Sequence, residues 1–119
     1  MKLGVPMEPD GETRVAIAPS SMKKLMKAGF EVLVEKNAGK ASNYSDADYE
    51  SAGAKIVSRK EIMECDTIIS IRFPGIEGLS KGTRIACVAD PFRNPEHVKS
   101  CIDAGITLLS MDMLSLIHI

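Results

Sequence analysis

Periodicity changes repeatedly along this chain, and that alternation limits the fold more than any other feature. Leu3–Val5, Glu31–Glu35, Lys55–Val57, Thr67–Ile71, Arg84–Ala89 and Ile106–Ser110 are short apolar or β-branched runs that read as strands. Helical spacing fills the gaps. Met22, Leu25 and Met26 follow Ser20 and Ser21, either of which can cap, and Gly29 supplies the stop. Ser45 caps a second helix, with Asp46 and Asp48 in a first turn that favours acids, and Gly53 ends it. Ser58–Glu64 is a third, with Glu61 placed for a capping box. In the fourth, Asn94 is the cap, Pro95 takes the first position, and Gly105 follows Ala104. Strands that alternate with short helices imply crossover units, and apolar strands imply a parallel sheet covered on both faces. The expected class is α/β, a three-layer flavodoxin-like domain with a mainly parallel sheet.

Composition removes other classes. At 119 residues, one domain is the natural count. The 15 Lys+Arg against 16 Asp+Glu leave a net charge of −1, which argues against nucleic acid, whose partners concentrate excess basic charge. Aromatics are only 4%, with no Trp, so base-stacking platforms are not expected. No apolar run reaches the ~20 residues of a membrane helix, and the start carries no apolar stretch of signal-peptide length. An intracellular, soluble protein is the expectation. Cys65, Cys87 and Cys101 are odd in number and lack Cys-x-x-Cys spacing, so they read as reduced, inert thiols acting as small hydrophobes.

Motifs for chemistry are sparse. No Gly-x-Gly-x-x-Gly follows a strand and no phosphate-binding loop is present; Lys81-Gly82-Thr83 reads as a plain turn. His97 and His118 are far apart and lack companions at ligand spacing, so no metal site is expected, and His97 is expected to face solvent. The richest segment is Gly4–Pro19, a long connection full of Pro, Gly and charge that leaves a strand's carboxyl end, where parallel α/β sheets place ligands. Within it, Arg14 can present a guanidinium to a carboxylate or phosphate, or it can pair with Glu8 or Glu12 to organise the loop. Both readings stand on the residues alone. Arg72 follows the Thr67–Ile71 strand, so two arginines converging there would form an anion site; a lone Arg after a strand is otherwise a surface residue. Asp90 belongs to the same topological class.

Met1–Pro6, Glu8–Ala16 with its Glu12-Thr13-Arg14-Val15-Ala16 signature, and Lys27–Glu35 resemble a known domain. So do Ala38-Gly39, Ser45-Asp46, Tyr49-Glu50, Ala52-Gly53-Ala54 and Met111-Asp112-Met113. It is the N-terminal domain shared by alanine dehydrogenases and the alpha subunit of proton-translocating NAD(P) transhydrogenase. The resemblance leans to the transhydrogenase. Alanine dehydrogenases carry a catalytic His where this chain has Asp90-Pro91, and a substrate-binding Lys where it has Arg72, while Asn94-Pro95-Glu96 and Ser110-Met111-Asp112 resemble the alpha subunit.

The resemblance implies a domain over residues 1–114 that is incomplete at its C-terminus. Residues 115–119, Ser-Leu-Ile-His-Ile, replace the family's nicotinamide-approaching loop and read as a divergent, non-native tail. The Rossmann NAD domain is missing, and an apolar stretch from Ile106 to Ile119 expects something further to cover it. In the whole protein the resemblance implies hydride transfer from NADH to NADP coupled to proton translocation. NAD would sit on the missing domain and NADP on a partner subunit, with membrane-embedded partners, a homodimer, and a cytoplasmic position peripheral to the inner membrane. The fragment alone would be inactive, with no catalytic residue of its own. Arg14 and Arg72 are the candidate substrate-binding residues. Arg14 matches the arginine that binds substrate carboxylate in the dehydrogenases, and in a transhydrogenase it reads as structural. The alternatives are the substrate domain of an NAD-dependent alanine dehydrogenase and a stand-alone flavodoxin-like binding module.

Overall fold

The computed structural model describes residues 1–88 and 94–110. Six strands form one sheet: β1 (Lys2–Val5), β2 (Glu31–Glu35), β3 (Lys55–Val57), β4 (Thr67–Arg72), β5 (Arg84–Val88) and β6 (Thr107–Ser110). Their order is β3-β2-β1-β4-β5-β6, and every pairing is parallel. The expected α/β class and parallel sheet are therefore present. The order carries information that periodicity does not. The chain winds outward from β1 to β3, then returns to the far side of β1 with β4, so the direction of winding switches between β1 and β4.

The helices are α1 (Met22–Lys27), α2 (Asp46–Ser51), α3 (Arg59–Met63) and α4 (Pro95–Ala104). Strand alternation decides which face each one covers. In β2, Val32 and Val34 face the side where α1 brings Met22 and α2 brings Tyr49. Leu33 faces the other side, among Ile62 and Met63 of α3, Cys101 of α4, and Ile68, Ile85 and Cys87 of the sheet. No helix joins β4 to β5. Phe73, Ile76 and Leu79 of that connection pack on the α3–α4 side instead. Cys65, Cys87 and Cys101 are buried and reduced, and burial pushes the thiols of Cys65 and Cys101 up, as expected of inert residues.

Several expected caps differ in detail. Ser45 makes a full capping box, its hydroxyl accepting the Asp48 N–H while the Asp48 carboxylate accepts the Ser45 N–H. The box expected from Ser58 and Glu61 is not formed, and the Asn94 side chain caps nothing. Neither Ser20 nor Ser21 caps α1, because Pro19 starts a 3₁₀ turn over Pro19–Ser21 and Ser21 is already helical (φ −89°, ψ −10°) rather than extended.

One half of the sheet stays partly bare. Register aligns Ile69, Ala86 and Leu109 in a row on the face that α1 and α2 cover elsewhere. Ile69, beside β1, packs on the cluster around Met22 and Tyr49, whereas further out on the same face Val88 and Leu109 are 38% and 47% exposed. The expectations placed on Ala89, Asp90, Met111–Leu114 and the 115–119 tail lie outside the described residues.

Candidate functional site

The site begins with a mismatch in strand length. The β1–β4 ladder ends at Gly4–Ile68, so the last residues of β4 run beyond β1 and leave amides without a strand partner on that side. Glu8, three residues past the end of β1, meets them. Its carboxylate accepts the Ile71 N–H and the Arg72 N–H, both at 2.8 Å, and the residue is only 8% exposed. A carboxylate so placed is satisfied without a cation.

The chain then turns, with the Glu12 N–H donating to the Pro9 carbonyl and Gly11 at φ +93°, a left-handed conformation that favours glycine. This aims Glu12 back across the strand ends. Glu12 Oε1 accepts from the Arg14 backbone N–H at 3.1 Å and from Arg14 Nε at 2.8 Å. Glu12 Oε2 accepts from Arg14 Nη2 and from Arg72 Nε, both at 3.0 Å. The Arg14 side chain, then its backbone N–H, hold the Glu12 carboxyl down at about 2 against an opposing push from burial, and Arg72 adds to the lowering. Reciprocally, Glu12 raises the Arg14 guanidinium further. The Glu12 side chain is nearly covered (7% exposed), whereas those of Arg14 and Arg72 are 64% and 58% exposed.

Other contacts pin the same connection from below. The Met7 N–H donates to Glu35 Oε1 at 3.2 Å. Arg59 Nη1 donates to the same oxygen and to the Met7 carbonyl, and its Nη2 donates to the Pro74 carbonyl at 3.0 Å. Further along, the Ser42 hydroxyl donates to the Thr13 carbonyl, and the buried Tyr49 hydroxyl donates to the Ile17 carbonyl at 2.7 Å. Burial, with a smaller push from Tyr44, raises the Tyr49 phenol to about 12. At the switch point these groups border a cleft of about 330 Å³ lined by Pro6, Glu8, Arg59, Ser70, Arg72 and Phe73.

The structure brings the two arginines singled out from the sequence together, on Glu12. Arg72 lines the cleft; Arg14 does not. Of the two readings left open for Arg14, the contacts with Glu12 are those of a loop organiser. Glu35 and Arg59 were not legible as part of the site, because a strand-end Glu and a helix-start Arg carry no signal of which loops the topology brings to them. The reading of His97 is corrected. It is half-buried, and its ring stacks on Phe73 with centroids 4.3 Å apart, because α4 lies over the start of the β4–β5 connection. Lys81-Gly82-Thr83 is the expected turn. No cluster of three His, Cys, Asp or Glu able to hold a metal ion is present among the described residues.

A dinucleotide does not fit this switch point. Its pyrophosphate needs a glycine-rich turn leading into a helix N-terminus. Here the connection after β1 offers Pro6, Met7 and a buried anionic Glu8, which already holds the strand-end amides.

The family model "Alanine dehydrogenase/PNT, N-terminal domain" matches residues 4–118, and the chain belongs to that family. NAD(P) transhydrogenase subunit alpha of Haemophilus influenzae is 34% identical over 116 residues, covering 94% of this chain and 23% of that protein. An alanine dehydrogenase of Staphylococcus epidermidis is 43% identical over 76 residues, covering 62% of this chain and 20% of that protein. The crystal structure of transhydrogenase from Sinorhizobium meliloti superposes with a TM-score of 0.90 at 34% identity, over 94% of this chain and 35% of that one. The chain thus spans less than a quarter of the length of these curated relatives.

Proposed function

We propose that this chain is the N-terminal portion of an NAD(P) transhydrogenase alpha subunit, a scaffold half that is inactive alone. The observation that carries the reading is the state of Arg14 and Arg72. Both guanidinium groups are held by Glu12, so the strap reads as structural, not as a substrate clamp standing open. The span of the match to transhydrogenase alpha subunits, 94% of the chain, supports it. In the whole protein a hydride leaves NADH for NADP, with NAD bound by a domain outside this sequence and NADP by a partner subunit or domain. Membrane-embedded partners couple the transfer to proton movement, and the assembly is dimeric, on the cytoplasmic side of the inner membrane. Among the described residues, no helix is long and apolar enough to cross a membrane.

A second reading, the substrate domain of an alanine dehydrogenase, is favoured by the 43% identity over 76 residues. In it, Arg14 and Arg72 bind the substrate's carboxylate. The test is a longer protein containing the segment that follows this sequence, assayed with and without the NADP-binding subunit. NADH-dependent reduction of an NADP analogue that requires that subunit supports the transhydrogenase. Oxidation of alanine by NAD without it sinks that reading and installs the second. For the 119-residue chain alone, NADH titration is expected to show no saturation up to ~1 mM, weaker than about −4 kcal/mol.

A further inference from the structure

The connection that carries Glu12 turns on Asp10-Gly11, and that turn is closed by one backbone hydrogen bond, from the Glu12 N–H to the Pro9 carbonyl at 3.1 Å. The Asp10 carboxylate and the Gly11 N–H make no hydrogen bond or ion pair among the described residues, and both residues are exposed. A Cβ built at Gly11 would meet nothing within 4 Å, so the peptide unit between the two has open space around it. The other described aspartates are committed elsewhere. Asp46, Asp48 and Asp66 accept the backbone N–H groups of Asn37, Ser45 and Lys2, each at 2.9 Å, and Asp103 lies inside α4. None of these four is followed by glycine. Glycine matters because it has no side chain to crowd its own nitrogen. In Asp10-Gly11 a carboxyl carbon and an unbonded amide nitrogen are therefore adjacent in the chain, and both are unhindered.

We propose that Asp10-Gly11 is a site of spontaneous backbone isomerisation to isoaspartate, and that this modification unfastens Glu12 from Arg72. The Gly11 nitrogen bonds to Asp10 Cγ and gives up its proton, the Cγ carboxyl gives up a hydroxyl, and the two leave as one water. The product is a cyclic succinimide. Water then opens the ring. Added at Cγ, it restores aspartate. Added at the main-chain carbonyl carbon, it breaks the bond from that carbon to the Gly11 nitrogen, and the chain then runs through Asp10 Cβ and Cγ. No oxidant, reductant or cofactor takes part, and the formula of the protein is unchanged. The main chain gains one atom inside the turn that the Glu12 N–H closes on the Pro9 carbonyl. Arg14 follows Glu12 in the same segment and travels with it, whereas Arg72 is fixed at the end of β4, so the Glu12–Arg72 contact is the one a displaced Glu12 loses. Glu8 precedes the turn and keeps its two strand-end amides. The inference concerns the chain's own covalent chemistry and does not depend on which oxidoreductase the whole protein is.

The test incubates the folded 119-residue chain at pH 6 for several weeks and digests it with trypsin. Asp10 falls in the peptide Leu3–Arg14, which holds no other Asp or Asn. Its isoaspartyl form has the same mass and separates by chromatography, and its succinimide form is lighter by one water. Isoaspartate is expected to accumulate at Asp10 at least about tenfold faster than at Asp46, Asp48, Asp66 or Asp103, because only Asp10 pairs a free carboxyl with a glycine nitrogen. Asp10→Glu, whose ring would need one more carbon, should abolish the change. Asp10→Asn, which forms the same succinimide with ammonia leaving, should speed it. No isoaspartate at Asp10, or equal accumulation at all of these aspartates, overturns the proposal, as does a change in Leu3–Arg14 that persists in Asp10→Glu. The unfastening is read by NMR on the isoaspartyl chain purified from aged Asp10→Asn. The Arg72 Nε–H resonance should move from its position in the parent, while the Ile71 amide, held by Glu8, stays in place. An unmoved Arg72 Nε–H overturns the coupling to Glu12, and movement of both resonances overturns it too, since the whole strand end would then have come apart.

Discussion

At β2 and β1 both faces of the sheet are packed, while at β5 and β6 the described residues leave Val88 and Leu109, on the face shared with α1 and α2, partly exposed. The sealed side owes its closure to crossovers that each carry a helix. α1 and α2 bring Met22 and Tyr49, both with no exposed surface, onto Leu3, Val5, Val32 and Val34. On the other side the β4–β5 connection has no helix and α4 packs on the α3 face, and of the Ile69–Ala86–Leu109 row Ile69 packs on the cluster that α1 and α2 close while Leu109 is 47% exposed. The difference separates two kinds of apolar residue with the same sequence appearance. Val34 and Leu109 are each an apolar residue in a strand, yet one is fully buried and the other is half in water. Burial here comes from where the crossovers land.

The largest test of this contrast is Met22→Ala. Met22 plugs the sealed face, so its truncation loses transfer free energy and leaves a cavity that two flanking strands cannot close. A loss of about 2–5 kcal/mol is expected in urea unfolding. A loss below about 1 kcal/mol would mean the sealed half is loosely packed, and the contrast would fail.

Gly39→Ala comes next. A Cβ built at Gly39 would lie 2.6 Å from Tyr49 Cε2, 2.8 Å from Tyr44 Cβ and 3.0 Å from the Tyr44 carbonyl oxygen. Tyr49 cannot retreat, since its ring is buried and its hydroxyl is fixed to the Ile17 carbonyl. Overpacking of this kind costs about 1–3 kcal/mol. The same unfolding measurement reads it, and a near-neutral result would show that the Tyr49 pocket yields.

These two residues also show how far the sequence could be read. The strands, the four helices and the glycine stops follow from period and punctuation, because those signals act within a few residues. Tyr49 as a core residue does not, since Ser45–Glu50 looks like a polar helix start until α2 is laid on the sheet. Glu8 is a similar case. Its partners, the Ile71 and Arg72 amides, lie more than sixty residues away and are exposed only by the relative lengths of β1 and β4. The Arg14–Glu12 pair is local, and it was open to sequence reasoning as one of two readings. That Arg72 shares the same carboxylate was not, because strand order alone brings β4 beside β1. Strand order is a product of tertiary packing that no single segment encodes.

The strap is also where the well-tied side is fastened to β4, and acid tests that fastening. The Glu12 carboxyl sits at about 2 in the folded chain against an ordinary value of 4.5, so the folded state holds its charged form more tightly than the unfolded chain does. The stability from this group is therefore complete above about pH 4.5 and drains away as pH falls toward 2. Glu12→Gln should flatten that part of the stability–pH curve without abolishing the decline due to other carboxylates. Because the arginines are well exposed, the effect should shrink in high salt. An unchanged acid limb in Glu12→Gln would show that the strap does not tie β1's connection to β4 in solution.

The smallest effect is expected on the bare face. Leu109→Lys replaces a side chain that already has 47% of its surface in water, in a row whose neighbours Ile69 and Ala86 are only half-buried. The lysine stem can lie along the strand while its ammonium reaches solvent, so stability should move by no more than about 0.5 kcal/mol. The same substitution breaks the apolar continuity of the row, so binding of a dye that reports exposed apolar surface should fall although the fold persists. Met22→Ala and Leu109→Lys thus push in opposite ways, one costing stability and the other only surface character. A large loss of stability in Leu109→Lys would mean that this face is covered in solution, and the two halves of the sheet would then be alike.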